Sequence, residues 1–300
     1  MEPVSPAPCS RSNRTSPLEN CVSPAQFKFD EIGIWSELKL EIVEKYGSAY
    51  TRAFTNAKLE KFYIDGFCGA GIHISKASGA QIEGSPTRAL RISPPFDGYH
   101  FIDLDADKTS HLQALCRDRS DVHIHLGDAN EILRKQLLPT IQYENFNRAL
   151  CLLDPYGLHL DWEVMFLAGH SRAIDLFLNF PVMDMNRNAI WRDPEKVPQD
   201  GVERMTKFWG DESWKGAAYA ESHQGDLFGN TPIVKQPNDA IVAAFRDRLK
   251  KVAGFAFVPE PLPMRNSTNA VVYYLFFASQ KPVAEKIIND IFGRYRSGRT

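Results

Sequence analysis

Apolar and polar residues alternate along the chain in two distinct rhythms. From Ile34 to Phe54 the large apolar side chains Trp35, Leu38, Ile42, Tyr46, Tyr50 and Phe54 recur every three or four positions with Glu and Lys between them, which predicts a long amphipathic helix. Short apolar runs follow, each ending in an acid or a turn. Phe62 to Ile64 stops at Asp65, Tyr99 to Ile102 at Asp103, Val122 to Leu126 at Gly127-Asp128, Ala149 to Leu153 at Asp154-Pro155, and Ala173 to Leu178 at Asn179-Phe180-Pro181. Helical stretches separate the runs, so the pattern predicts strands of a mostly parallel α/β sheet. Ser85 and Pro86 stand where a helix N-cap and first position belong. Phe255 to Val258 and Ala270 to Ala278 read as two last strands with no helix between them, which makes the end of the sheet antiparallel.

Residues 1–26 are rich in Pro and Ser and poor in large apolar side chains, so they read as a disordered tail ahead of a domain over 27–300. A stretch of about 187–232 lacks sustained periodicity and reads as an insertion after strand five; its Phe208, Trp209 and Trp214 suit a minor core better than a platform for bases.

Composition changes this picture little. The 300 residues are 43% hydrophobic and 24% charged, enough for a sizeable core, and a net charge of -2 neither favours nor excludes a nucleic-acid partner. The five cysteines share no C-x-x-C spacing, which points to free thiols in a reducing compartment and to no metal site. No run is long enough to span a membrane, and the expected location is cytoplasmic.

The chemistry gathers at the strand ends. Asp65-Gly66-Phe67-Cys68-Gly69-Ala70-Gly71 places an acid and three glycines after the first strand, where bare main chain can meet a nucleotide-type ligand. It is neither the dinucleotide pattern nor a P-loop. Asp103 stands where a ribose-binding acid belongs, with Asp105 as a cap, and Asp128 is either an adenine-binding acid or a helix cap. A D-x-D metal pair of Asp103 and Asp105, in a nuclease or phosphohydrolase, is the lower alternative. Asp154, Pro155 and Tyr156 offer an acid, outward carbonyls and a ring, a receptor for a planar amine. Asn179, Asn186 and Arg187 lie beyond strand five as candidates for gripping substrate.

The glycine turn resembles the first motif of S-adenosylmethionine-dependent methyltransferases, and Asp154-Pro155-Tyr156 resembles the Asp/Asn-Pro-Pro-Tyr/Phe motif of amino methyltransferases without its second proline. Together with Trp35 to Tyr46, Glu83 to Pro86, Phe101 to Asp105, Gly127 to Asn130, Asn179-Phe180 and Asn186 to Asn188, the ordered set resembles the three-Cys-motif partner protein family over about residues 30 to 290. That resemblance implies a Rossmann-like class I methyltransferase fold, a seven-stranded sheet with an antiparallel last strand. It implies S-adenosyl-L-methionine held by Asp65, Gly66, Phe67, Gly69, Gly71, Asp103 and Asp128 and a reacting group at Asp154, Pro155 and Tyr156, without establishing a substrate; the two motif resemblances imply methylation of an amino group, with a nucleic-acid base as the expected acceptor. It also implies a cysteine-motif protein partner, and with it the alternative of a non-catalytic, cofactor-binding partner protein.

Overall fold

The computed structural model describes residues 29–221 and 233–297; the 1–26 tail lies outside the described residues, as does the end of the 187–232 stretch. In chain order the elements are β1 (Glu31–Ile32), α1 (Ile34–Ala53), β2 (Glu60–Asp65), β3 (Ile72–Ser75), β4 (Gln81–Glu83), α2 (Ser85–Leu90), β5 (Gly98–Asp103), α3 (Ala106–Leu115), β6 (Val122–Leu126), α4 (Ala129–Ile132), β7 (Asn147–Leu153), α5 (Trp162–His170), β8 (Ile174–Phe180) and α6 (Val182–Asn188). They continue as α7 (Gln199–Trp209), α8 (Trp214–Ala218), β9 (Tyr219–Glu221), β10 (Ile233–Lys235), α9 (Asn238–Lys251), β11 (Leu262–Arg265), β12 (Val271–Ala278) and α10 (Pro282–Arg296).

Seven strands form one sheet in the order β11-β12-β8-β7-β2-β5-β6. From β6 to β8 all neighbours run parallel, while β12 runs antiparallel to both β8 and β11. The sheet is therefore mixed α/β and mostly parallel. Its central strand β7 is apolar from Ala149 to Leu153 because both of its faces are buried there, Ala149, Cys151 and Leu153 on one side and Leu150 and Leu152 on the other. The amphipathic stripe of α1 packs Ile42, Val43, Tyr46 and Tyr50 into one of these two cores, beside Phe292 of α10.

Two expectations change. Among the described residues Phe255 to Val258 pairs only through a single bridge from Phe257 to Ser279, and the antiparallel neighbour of β12 on its outer side is β11, from the segment between the two expected strands. Proline at 263 is tolerated there because β11 is an edge strand, where an amide can be missing without breaking a ladder on its outer side. The aromatic residues of the expected insertion do not make a core of their own. Phe208, Trp209 and Trp214 are buried with Phe245 and Phe180 in the core on the α5 and α9 side of the sheet.

Residues 72–83 form the β3-β4 hairpin, extended by β1 into a separate three-stranded sheet. Among the described residues no helix is long and apolar enough to cross a membrane.

Candidate functional site

The chain enters the sheet at β2, builds outward through β5 to β6, then returns to the other side of β2 with β7 and β8. Strand order reverses between β2 and β7, and the connections leave on opposite faces, which opens a crevice at the carboxyl ends of those strands. A cavity of about 440 Å³ lies at this place, lined among others by Phe67, Gly69, Lys39, Asp154, Tyr156 and Asn179.

The glycine turn forms one wall. Gly69 has φ +64°, and a Cβ there would meet nothing nearer than His73 Cε1 at 3.7 Å, so its main chain is open on the cavity side. Asp103 braces it from behind: one carboxylate oxygen accepts the Gly69 amide at 2.8 Å and the other the Asp105 amide at 2.9 Å. Asp65 is fully buried behind the turn, where one oxygen accepts the Phe67 amide and Oδ2 has no partner. Burial pushes its carboxyl up to about 7, with the Ser85 hydroxyl and the Phe67 amide pulling the other way. Ser85 is not the helix cap expected of it; Gly84 takes that position without a side-chain bond.

Gly66 and Gly71 serve packing instead of the cavity. A Cβ at Gly66 would stand 2.8 Å from Leu153 Cδ2, and Gly71, at φ +79°, leaves 3.1 Å to Thr87 Oγ1. Asp128 is exposed and caps α4, accepting the Asn130 amide at 2.7 Å and the Glu131 amide at 3.3 Å. Of the two readings open for it in the sequence, the cap is the one its contacts satisfy.

The opposite wall holds the acid, proline and tyrosine. Asp154 forms an ion pair with Lys39 of α1 and accepts a hydrogen bond from Asn179 Nδ2. Lys39 is only 5% exposed, so this ammonium is held away from bulk water and needs the carboxylate. Tyr156, by contrast, is 63% exposed; its hydroxyl is engaged by Lys108 at 3.1 Å and Asp30 at 3.5 Å, and the Lys108 ammonium lies 5.5 Å from the centre of its ring. Asn186 and Arg187 are not brought to this cavity. The Asn186 amide donates to the Val182 carbonyl and the Asn238 side chain, and Arg187 lies exposed on α6.

Sequence reasoning missed three lining residues. Lys39 lies four residues after Trp35 and three before Ile42, on the apolar stripe itself, and a lone cation in that register was the available signal. Asp30 precedes a two-residue strand that no periodicity reveals. His73 is held in the β3-β4 hairpin with Nδ1 unpartnered, and burial pushes its imidazole below the usual range; a lone histidine in a polar stretch gives no sign of this.

No family model matches the chain, and no curated protein matches it. Among solved structures it is similar to protein LPL1258 from Legionella pneumophila, at 10% identity and TM-score 0.49, over 85% of this chain and 92% of that one. It is similar to a proposed S-adenosylmethionine-dependent methyltransferase from Listeria monocytogenes at 13% identity and TM-score 0.37, over 79% of this chain and 98% of that one. It is also similar to the carbon methyltransferase DszA, at 12% identity and TM-score 0.41, over 82% of this chain and 54% of that one. At such identities and scores the likeness carries no function from one chain to another.

Proposed function

We propose that this chain is an S-adenosylmethionine-dependent N-methyltransferase acting on an exocyclic amino group, with a nucleic-acid base as acceptor. The observation that carries the reading is that one crevice, at the point where the strand order reverses, joins an open glycine turn to an Asp-Pro-Tyr segment. The turn fits the cofactor: Gly69 leaves room for a ligand against main chain, and the partnerless Oδ2 of Asp65 lies directly behind it. Phe67 and Gly69 would hold the methionine end; Asp103 would take the ribose only by sharing or giving up its bonds to the Gly69 and Asp105 amides, and Asp128 the adenine only by giving up its capping bonds. When bound, the cofactor supplies a methyl group on a sulfonium.

The remaining work falls to this chain's own residues. Asp154 and the Pro155 carbonyl would accept the two N–H bonds of the acceptor amine, and the exposed Tyr156 ring would stack on the base, so that orientation supplies most of the rate gain. Lys39 already occupies the Asp154 carboxylate, so a neutral acceptor amine would have to share that carboxylate with a charged donor or displace it.

That same ion pair favours the second reading, a cofactor-binding partner protein that transfers nothing, because its acid is satisfied without substrate. The third, a metal-dependent hydrolase built on Asp103 and Asp105, fits less well: both oxygens of Asp103 accept backbone amides, those of Gly69 and Asp105, and Oδ1 of Asp105 caps α3 by accepting those of Asp107 and Lys108. Calorimetry with S-adenosylhomocysteine, followed by transfer of labelled methyl to DNA and RNA, separates the readings. Binding with transfer that Asp154→Asn abolishes supports the enzyme. Binding without transfer to any acceptor supports the partner protein, and no binding overturns both.

A further inference from the structure

A second cavity, of about 160 Å³, lies at the far end of the sheet, against the amino ends of β7 and β8. Its floor is apolar, built from Ala53 and Phe54 at the end of α1, Ile174 of β8, and Ala284 and Ile287 of α10. A cavity of roughly this size in a protein core accommodates a benzene ring. Its wall is cationic: Arg148, Arg172 and Lys281 all line it, against Asp175 as the only acid in the lining.

Those three cations are gathered without an anion. Among the described residues they cluster around the Tyr143 ring, Arg148 at 3.9 Å, Lys281 at 4.9 Å and Arg172 at 5.5 Å from its centroid, and none forms an ion pair with a carboxylate. Arg148 is 8% exposed and donates only to the Tyr143 and Asn147 carbonyls. Asp175 does not neutralise them by contact, because its oxygens accept from Tyr46 and Ser279.

Two further features mark this as a place for a ligand. The Tyr50 side chain lines the cavity, is 4% exposed, and its hydroxyl has no hydrogen-bond partner. A buried hydroxyl without a partner has given up its hydrogen bonds to water and gained none in return, so a group that could bond it is favoured there. The first turn of the 15-residue helix α10 also stands in the wall, with Lys281 as its N-cap; the Lys281 amide donates to Ser279 Oγ and Pro282 has no N–H, so the turn contributes mainly the positive end of its dipole.

We propose that this cavity is a binding site for a small amphipathic anion, a carboxylate or phosphate carried on an apolar body about the size of a phenyl ring. The anionic group would lie among Arg148, Arg172, Lys281 and the start of α10 and accept from the Tyr50 hydroxyl, with the apolar body over Ala53, Phe54 and Ile287. The site stands apart from the crevice of Asp154 and does not depend on how that crevice is used.

Benzoate and phenyl phosphate are the probes, titrated into the full chain by calorimetry, with phenol and inorganic phosphate as the neutral and the body-less controls. The expected result is saturable binding of at least one aromatic anion, at least tenfold tighter than either control. The double reversal Arg172→Glu/Lys281→Glu, made on side chains that hold no other charged partner, is expected to weaken it at least tenfold. Tyr50→Phe keeps the ring and the fold; it should raise the melting temperature of the free protein while weakening the anion several-fold. Absence of binding at millimolar probe, phenol binding as well as benzoate, or an unchanged affinity in the double variant would each overturn the proposal.

Discussion

At the scale of single residues, Asp65 carries the sharpest consequence. A carboxyl held at about 7 in the folded chain and near 4 in the unfolded one binds its proton more tightly when folded. Its contribution is therefore fully present below about pH 4, is lost progressively between about pH 4 and pH 7, and is gone above 7, where ionising it in the core costs at most about 4 kcal/mol. Asp65→Asn keeps the acceptor for the Phe67 amide and never ionises. The variant should gain on the wild type in melting temperature between pH 4 and pH 7 and keep a constant lead above that; a difference in melting temperature that stays the same from pH 4 to pH 8.5 would mean that the carboxylate is solvated after all. The acid itself was legible in the sequence as the end of a strand, but its protonation was not, since that depends on Ser85 and on the depth of burial. Lys39 teaches the converse. It was visible as a cation on an apolar stripe, yet its carboxylate lies 115 residues away, and only the meeting of α1 with the end of β7 pairs them.

At the scale of elements, periodicity worked where an element buries one face against the sheet and failed where an element is too short to have a period. The helix expected over Ile34 to Phe54 is α1, Ile34–Ala53, because its stripe is continuous. The two-residue β1 owes its place to the hairpin beside it: Ile74 N–H donates to the Asp30 carbonyl and Lys76 N–H to that of Ile32, both at 2.9 Å. The Asp30 side chain adds an ion pair with Lys108, whose ammonium also bonds the Tyr156 hydroxyl, so the segment crosses one rim of the crevice. Since Asp30 is partly exposed, the pair is worth about 0.5 to 1 kcal/mol. Asp30→Ala should accordingly speed amide exchange at Ile74 and Lys76 by roughly two- to fivefold through local opening, and leave Tyr63 and Ile64 of β2 unchanged. Unaltered exchange at Ile74 would mean that the backbone bonds alone hold the strap.

At the scale of the whole molecule, the two halves of the sheet meet where β2 lies beside β7, and the crevice of Lys39, Gly69 and Asp154 sits over that seam. A ligand held there touches loops that belong to both halves, so its binding is linked to global unfolding and not to a local rearrangement. If the crevice takes S-adenosylhomocysteine, a concentration one hundred times the dissociation constant should stabilise the folded chain by about 2.7 kcal/mol. For a chain of this size that corresponds to a rise of roughly 5 °C or more in melting temperature. Variants divide the crevice into its two ends. Lys39→Met, with a side chain that still fills the space beside Tyr273, alters the end facing Asp154 and should keep the full rise. Gly69→Ala forces a side chain onto a backbone at φ +64°, at the open face of the turn, and should reduce the rise or remove it. Asp103→Ala is the poorer choice, because the carboxylate braces the Gly69 and Asp105 amides and its loss would disturb the turn whether or not a ribose ever touches it. A rise that survives Gly69→Ala and disappears in Lys39→Met would place the ligand at the opposite end of the crevice and reverse the assignment of its two walls.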